Sequence, residues 1–416
     1  MTGQAPTTSI VRAAGTSFFP IALIARLPFA MMIVGVLTLV VSARQSIALG
    51  GATSAVTGLG TALFAPFLGM AADRYGQRRM LLIVGFVNSL LLLVMARLVF
   101  TPAPDLAVLG VAVLIGATVP QVAPMSRSRV VAIIAQRLPE ARRARVLSRA
   151  MAYESGADEV VFVFGPVVAG LLATAVGPAA PVIGSALLAL VFVTAFALHP
   201  TADIGRAERT RSGGVVQAPA RDLVRPGLLV TYVGALGMGL VFGSCLTSLT
   251  AVMEQRGAPE EAGLLYGAMG VGSAVFALGS AVLPEGFPLA SRWVAFAGVL
   301  TTGAVVLSTV SSVPGLLAAL FVVGIGIGPT LVAEYSFAVD RSPHGRGAAV
   351  LTIFGSAVVV GQAGSSAATG LVAERLGVGA ALFTPVVAAA VVLTAGVVNG
   401  LYARGAPRPA APDAVA

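Results

Sequence analysis

Seven ionisable side chains stand inside otherwise apolar stretches of this chain: Arg26, Arg127, Arg129, Glu154, Asp158, Glu159 and Glu334. A charged group costs about 2.5–3.5 kcal/mol at the centre of a bilayer, so such residues face a bundle interior or a watery cavity. There they pair with one another, carry protons or bind a charged solute. Glu154 and Asp158 are one helical turn apart and share a face. Arg127 and Arg129 are two apart and point to nearly opposite sides, so at most one of them pairs well with that carboxylate face. A turn expected near Ala141 brings Arg127 and Glu154 to similar depth, while Glu159 projects about 100° away from Asp158. Two readings stand: a structural ion pair near one membrane face, or a carboxylate that exchanges a proton when a conformational change moves it away from arginine. Asp158 and Glu159, deeper and farther from Arg127, are the expected carriers. Glu334 adjoins Tyr335 and is alone in its half. It binds a cationic substrate, serves as a second protonation site, or hydrogen-bonds a neighbouring helix. Arg26, two residues before Pro28, holds an anion in a cavity or snorkels to the inner surface; snorkelling is expected.

The elements that position these groups are membrane-spanning helices. A helix needs about 20 apolar residues to cross the hydrocarbon core. Such stretches run near 18–41, 47–72, 80–100, 106–135, 148–173, 178–198, 226–252, 262–284, 291–311, 313–338, 347–373 and 379–402. The apolar runs are continuous rather than alternating, which excludes a β-barrel. Eleven stretches follow the first and Arg26 interrupts it, so it is not a signal peptide. The expected fold is an all-α membrane protein.

Composition agrees. The chain of 416 residues is 57% hydrophobic and 10% charged, with a mean hydropathy of +0.94. Its 49 glycines suit close helix contact in lipid, as at Gly361–Gly364–Gly370. All 26 basic residues are arginine, and the net charge is +9. That charge is a topology signal and not a nucleic-acid one. The clusters Arg74, Arg78 and Arg79; Arg137, Arg142, Arg143 and Arg145; and Arg206, Arg209, Arg211, Arg221 and Arg225 all fall on one side, the cytoplasmic one by the positive-inside rule. Cys245 is a lone cysteine, and His199 and His344 are the two histidines, so neither a disulfide nor a metal site is expected. The longest polar break, rich in Arg, Gly and Pro, follows the sixth crossing. The expected units are a tail over 1–17, a six-helix bundle over 18–199, a linker over 200–224, a second six-helix bundle over 225–403 and a tail over 404–416. Gly116–Pro120 weakly echoes Gly324–Pro329, and Ala169–Ala173 echoes Thr369–Ala373, as a duplicated unit would. Parallel repeats with a site at their interface are a transporter architecture.

Between the second and third crossings stands Gly69-Met-Ala-Ala-Asp73-Arg74-Tyr-Gly76-Gln-Arg78-Arg79. It resembles the signature loop of the major facilitator superfamily, G-x-L-A-D-R-x-G-R-K/R-K/R, in the slot where that family carries it. Ala71 departs from the usual Leu and Gln77 from the usual basic residue. Gly69 would permit close helix contact, Gly76 a tight turn, and Asp73 a cap on a neighbouring helix end. The resemblance implies two six-helix pseudo-repeat bundles around a central cavity. It also implies a gating role for Gly69, Asp73, Arg74, Gly76 and Arg78 rather than substrate contact. Gly165-Pro166-Val-Val-Ala169-Gly170 partly resembles the G-x-x-x-G-P-x-x-G-G motif of antiporter branches, with Val161 in place of the first Gly. Gly165–Pro166 and Gly328–Pro329 are expected helix kinks. The arginine that antiporter branches carry in the body of helix four is absent between Leu106 and Met125.

The expected function is secondary active transport of a small hydrophobic or amphipathic molecule, with proton-coupled efflux by alternating access ahead of uptake or facilitated diffusion. Arg26, Arg127, Arg129 and Tyr335 are the candidates for substrate or ion-pair contact. No Walker loop is present, so ATP does not drive transport directly, and no cofactor is expected. A membrane enzyme would need a nucleophile with a base, or clustered His and carboxylates, and shows neither. The partners expected are the substrate, protons and lipid, with no nucleic acid. The chain is expected to be a monomer in the plasma membrane with both termini cytoplasmic.

Overall fold

Among the described residues, twelve helical units are long and apolar enough to cross a membrane, and their bounds follow from where glycine, proline and charge interrupt the hydropathy. The computed structural model describes residues 9–204, 218–280, 283–284, 286–343 and 346–405. His344 and the side chains of Asp73 and Glu159 lie outside the described set. In the first half the units are α1 (Phe18–Arg44), α2 (Ile47–Tyr75), α3 (Gln77–Leu98), α4 (Asp105–Arg137), α5 (Glu140–Val176) and α6 (Ala180–Leu198). In the second they are α7 (Pro226–Gln255), α8 (Ala262–Gly279), α9 (Leu289–Thr309), α10 (Val313–Asp340), α11 (Gly347–Leu376) and α12 (Thr384–Gly405). No described residue belongs to a strand.

Two units are broken, and proline explains both. In α1 the regular helix stops at Ile24 and resumes at Leu27. Pro28 has no N–H for the carbonyl of Ile24, so the chain tightens through Arg26 N–H to Leu23 O at 3.2 Å and Phe29 N–H to Arg26 O at 3.2 Å. In α4 the helix stops at Ala117 and resumes at Val122. Pro120 cannot donate to Gly116, whose carbonyl accepts instead from Thr61 of α2 at 3.2 Å. Asn88 of α3 donates to Ile115 O at 2.9 Å and to Thr118 Oγ1 at 3.2 Å. Lipid offers these carbonyls nothing, so polar side chains of neighbouring helices must. Pro166 and Pro329, by contrast, sit inside uninterrupted helices.

Several expectations need correction at the element ends. The segment before α1 is a folded helix, Ile10–Ala14, whose Ala13 and Ala14 are buried. Its Ala13 carbonyl accepts from Arg137 at 2.6 Å. The α4–α5 turn falls at Leu138–Pro139, ahead of Ala141. Helix α5 starts at Glu140 rather than 148, because its first turns are arginine-rich and lie outside the apolar window. Of the linker, Pro200–Asp203 and Ala220–Val224 form 3-10 turns, and residues 205–217 lie outside the described residues.

The first six units pack together and the last six pack together. Glycine sets the closest approaches within each bundle. A Cβ on Gly116 would overlap the Thr57 carbonyl, and one on Gly324 or Gly328 would overlap the carbonyls of Met269 or Ser273. Gly328 is therefore a close contact between α10 and α8. The bundles meet through α2 against α11 and α5 against α8. That contact is confined to one end. Gly51 abuts Ser366, Gly58 abuts Ala363 and Gly170 abuts Leu264, all towards the face opposite the arginine-rich loops. Towards the arginine-rich face, Cβ atoms on Gly69, Gly156, Gly347 and Gly355 would meet open space. On the same part of α2, Leu63 and Phe67 are 63% and 61% exposed. The molecule is closed at one face and open between its bundles at the arginine-rich one.

Candidate functional site

The break in α1 sets the site. It turns Arg26 inward, where the side chain is buried at 5% exposure and does not snorkel as expected. Its guanidinium pairs with Glu154 Oε2, donates to Asp158 Oδ1 at 3.0 Å and reaches the Glu154 carbonyl at 3.2 Å. A guanidinium held by three such contacts has no reason to seek the surface. Glu154, fully buried, also accepts from Ser126 Oγ of α4 at 2.9 Å. Arg127 pairs with Asp158 Oδ2. Four ionic side chains from α1, α4 and α5 thus form one electrically balanced network, with every carboxylate oxygen engaged.

The two arginines of α4 part as their spacing requires. Arg129, fully buried, enters the bundle interior, where Nε donates to Gln77 Oε1 at 2.9 Å and an Nη to the Phe196 carbonyl at 2.7 Å. Its guanidinium lies 3.9 Å from the centroid of the Phe196 ring. It ties α3, α4 and α6 together inside the first bundle, apart from the Arg26–Glu154–Asp158–Arg127 network. Arg127, on the opposite side of α4, faces the opening and is 35% exposed. The expectation that Asp158 stands clear of Arg127 is overturned: Arg127 reaches one turn further along α5 than its depth suggests. The side chain of Glu159 lies outside the described set.

Above the network, towards the closed face, a cleft lies between the bundles, lined by Phe29 and Ile33 of α1, Thr57 and Thr61 of α2, and Gln362 and Ala363 of α11. The threonines back-bond to their own helix, Thr57 to Thr53 O at 2.8 Å and Thr61 to Thr57 O at 3.1 Å. The walls are therefore apolar with a few weakly polar points. Tyr335, 41% exposed, stacks on Phe354 at 4.4 Å between centroids.

Glu334 is elsewhere. Fully buried in the second bundle, it lies against the backbone of Gly234, with Trp293 of α9 on the same glycine. Neither carboxyl oxygen has a hydrogen-bond partner among the described residues. Glu334 is not among the residues that line the cleft.

In the loop between α2 and α3, Gly76 has φ +96 and by itself joins the two helices, a conformation that favours glycine. Gly69 makes no close helix contact, since a Cβ there would meet open space. Arg74 and Arg78 are exposed, Arg74 lying 5.4 Å from the Tyr75 ring centroid. Gln77, the departure from the family loop, is the residue that accepts from Arg129, and its amide donates to Ser128 at 2.9 Å. His199, beyond the end of α6, donates to or accepts from Thr201 at 3.0 Å and Ser17 at 3.3 Å. Burial, and next the charge of Arg129, hold its pKa below the ordinary histidine value. Among the described residues no three His, Cys, Asp or Glu side chains gather in a way that would hold a metal ion.

Sequence reasoning missed the closed face. Glu374, at the end of α11, accepts from Ser46 Oγ at 2.6 Å and from the Ala48 N–H at 2.8 Å. The second bundle thereby caps the N-terminus of α2 in the first, where the helix dipole favours a carboxylate. In sequence it is an acid at a helix end like any other. Such a cap is worth about 1 kcal/mol. Glu374→Gln is expected to raise the fraction opened at this face several-fold. Labelling of Thr57→Cys by an impermeant maleimide from that side, in a Cys245→Ala background, measures it; an unchanged rate removes Glu374 from the latch.

Two six-helix bundles with an apolar cleft between them, and a charge network within the first, are the architecture of a membrane transporter. The chain belongs to the major facilitator superfamily, whose family model matches residues 18–287. No curated protein matches it. Among solved structures it is similar to the nucleoside transporter NupG, with TM-score 0.69 and 10% identity over 94% of this chain and 99% of that one. It is similar to a bacterial homologue of the iron transporter ferroportin in its inward-facing state, with TM-score 0.66 and 16% identity over 94% and 100%. A bacterial metal transporter is likewise similar, with TM-score 0.63 and 16% identity over 95% and 100%. At these identities the likeness is one of fold. The family and fold are those of transporters, which are generally not enzymes.

Proposed function

We propose that this chain is a proton-coupled secondary transporter of a small amphipathic molecule, working by rocking of its two bundles. The observation that carries the reading is the balanced Arg26–Glu154–Asp158–Arg127 network beside the opening. It joins α1, α4 and α5, and α5 is also one of the helices on which the two bundles bear. A rocking motion that shifts α5 against α1 or α4 alters the arginine environment of Asp158, and that is how a carboxylate gains or loses a proton. Asp158 is the carrier in this reading, because it is the more exposed of the two carboxylates in the network, 26% against 0% for Glu154. Glu334 is a second site to be tested beside it.

The apolar cleft favours an amphipathic cargo. The relatives in fold are named for nucleosides, iron and metal. A metal cargo lacks support from the side chains lining this cleft. The arginine-rich, open face is the cytoplasmic one in this reading, so the chain is a plasma-membrane monomer facing inward, with both termini inside. The loop from Gly69 to Arg79, with Asp73, Arg74 and Arg78, gates that face and closes in the outward state. The two bundles over 18–199 and 225–403 are the moving bodies.

Export by exchange requires substrate and proton to compete, whereas uptake requires them to bind together. The Gly165–Pro166 pattern favoured export, but its glycine has a packing reason, since a Cβ there would overlap Ala30 of α1. Everted vesicles test the reading. A compound selected by resistance screening in a transporter-deleted host should dissipate or build a pH gradient as it moves. Asp158→Asn should transport it without moving protons. Full proton coupling in Asp158→Asn and in Glu334→Gln would overturn the proposal.

A further inference from the structure

We infer that the substrate carries a negative charge, a carboxylate or similar monoanion, which docks on Arg127 in place of Asp158. This rests on the reading of Asp158 as proton carrier and names the substrate class. The argument is one of unused hydrogen-bond capacity. Both oxygens of Glu154 are engaged, by Ser126 and Arg26, and both oxygens of Asp158, by Arg26 and Arg127. A cationic substrate would have to share oxygens already paired with an arginine or with Ser126, against the charge of Arg26 and Arg127. Arg127 uses one Nη on Asp158 and has no other hydrogen bond among the described residues. Its side chain is 35% exposed, on the side of α4 opposite Arg129, which is the open side. A guanidinium with spare donors is made for bidentate capture of a planar anion.

Charge balance decides the coupling. The groups facing Asp158 are Arg26 from the break in α1, Arg127 from α4, and Glu154 one turn earlier on α5, with Tyr153 beside Glu154. Two positive and two negative charges cancel in the empty site. A proton on Asp158 releases Arg127 and leaves one excess positive charge, which a bound anion restores to zero. An anion without that proton would leave one excess negative charge. Proton and anion thus promote each other's binding, and each must do so by the same factor. The cycle is cotransport, both species moving in the same direction. Phe29 and Ile33, which follow Arg26 along α1, offer apolar surface to the body of the molecule once the bundles move, and the exposed Arg74, Arg78, Arg79, Arg142 and Arg143 at the open face draw anions in.

The test is binding to the purified full-length protein in nanodiscs by calorimetry. The probes are three monocarboxylates (benzoate, 4-phenylbutyrate and octanoate), each beside its amide and its amine, at pH 5.5, 6.5 and 7.5. At least one carboxylate should bind, with its Kd falling by up to about tenfold per unit of acidification, the limit for one linked proton. Its amide and amine should bind at least tenfold more weakly. In Asp158→Asn the carboxylate should bind independently of pH, and in Arg127→Gln its advantage over the amide should vanish. The wild-type comparison needs neither variant to fold. Absence of binding by every carboxylate, or an amine that binds better and is displaced by protons, overturns the anion assignment. The second result would leave proton coupling standing with a cationic cargo. Failure of coupling itself shows separately, in the vesicles.

Discussion

Replacing Arg26 by methionine is expected to cost about 3–5 kcal/mol of stability, the usual loss when one partner of a buried pair is removed. Glu154 would keep only Ser126, and Asp158 only Arg127. The methionine fills the volume but gives Glu154, which is fully buried, no counter-charge. The double variant Arg26→Met/Glu154→Gln should recover much of the loss, since a neutral amide can still bond Ser126 while the uncompensated charge is gone. Thermal unfolding in detergent, followed by size-exclusion recovery of the monodisperse protein, reads the effect. The single Trp293 sits in the other bundle and would report the wrong half. Equal stability of Arg26→Met and the native chain would mean that the pair contributes nothing and that Arg26 is held for another reason.

The second large effect concerns the closed face. A side chain at Gly170 would overlap the backbone of Leu264 across the bundle interface. Overpacking of this kind costs about 1–3 kcal/mol. It acts only on the state in which α5 and α8 touch, so Gly170→Val should shift the equilibrium about 5- to 150-fold towards opening at that face. Gly324→Val would meet the Met269 carbonyl inside one bundle and should lower stability without favouring either state. A cysteine pair replacing Ser46 and Glu374, in the Cys245→Ala background, reports closure through its disulfide yield. Gly170→Val should reduce that yield sharply while Gly324→Val leaves it unchanged. An unaffected yield in Gly170→Val would mean that the interface relaxes around the side chain.

These cases mark what was legible in the chain. The twelve crossings, the family loop at Gly69–Arg79, the broad division into two bundles and the opposed directions of Arg127 and Arg129 could all be read in advance. Each follows from a local rule: lipid satisfies no backbone group, and a helix turns 100° per residue. The pairing of the charges could not be read so far. Arg26 was expected to snorkel and is buried. Asp158 was expected to be clear of Arg127 and is bound to it. Glu334 was a candidate for the cavity and faces the interior of its own bundle. Gln77 was visible as a departure from the family pattern, but nothing in the sequence joined it to Arg129.

Hydropathy by itself determined that this chain threads a membrane as two helical bundles, because burying apolar surface and satisfying backbone amides leave a single economical solution. Only the tertiary structure decided which ionic groups meet, which glycines touch and which face is open. Helices apolar on nearly every side carry no mark of their rotation or relative depth, and those two quantities are fixed when one helix packs on another.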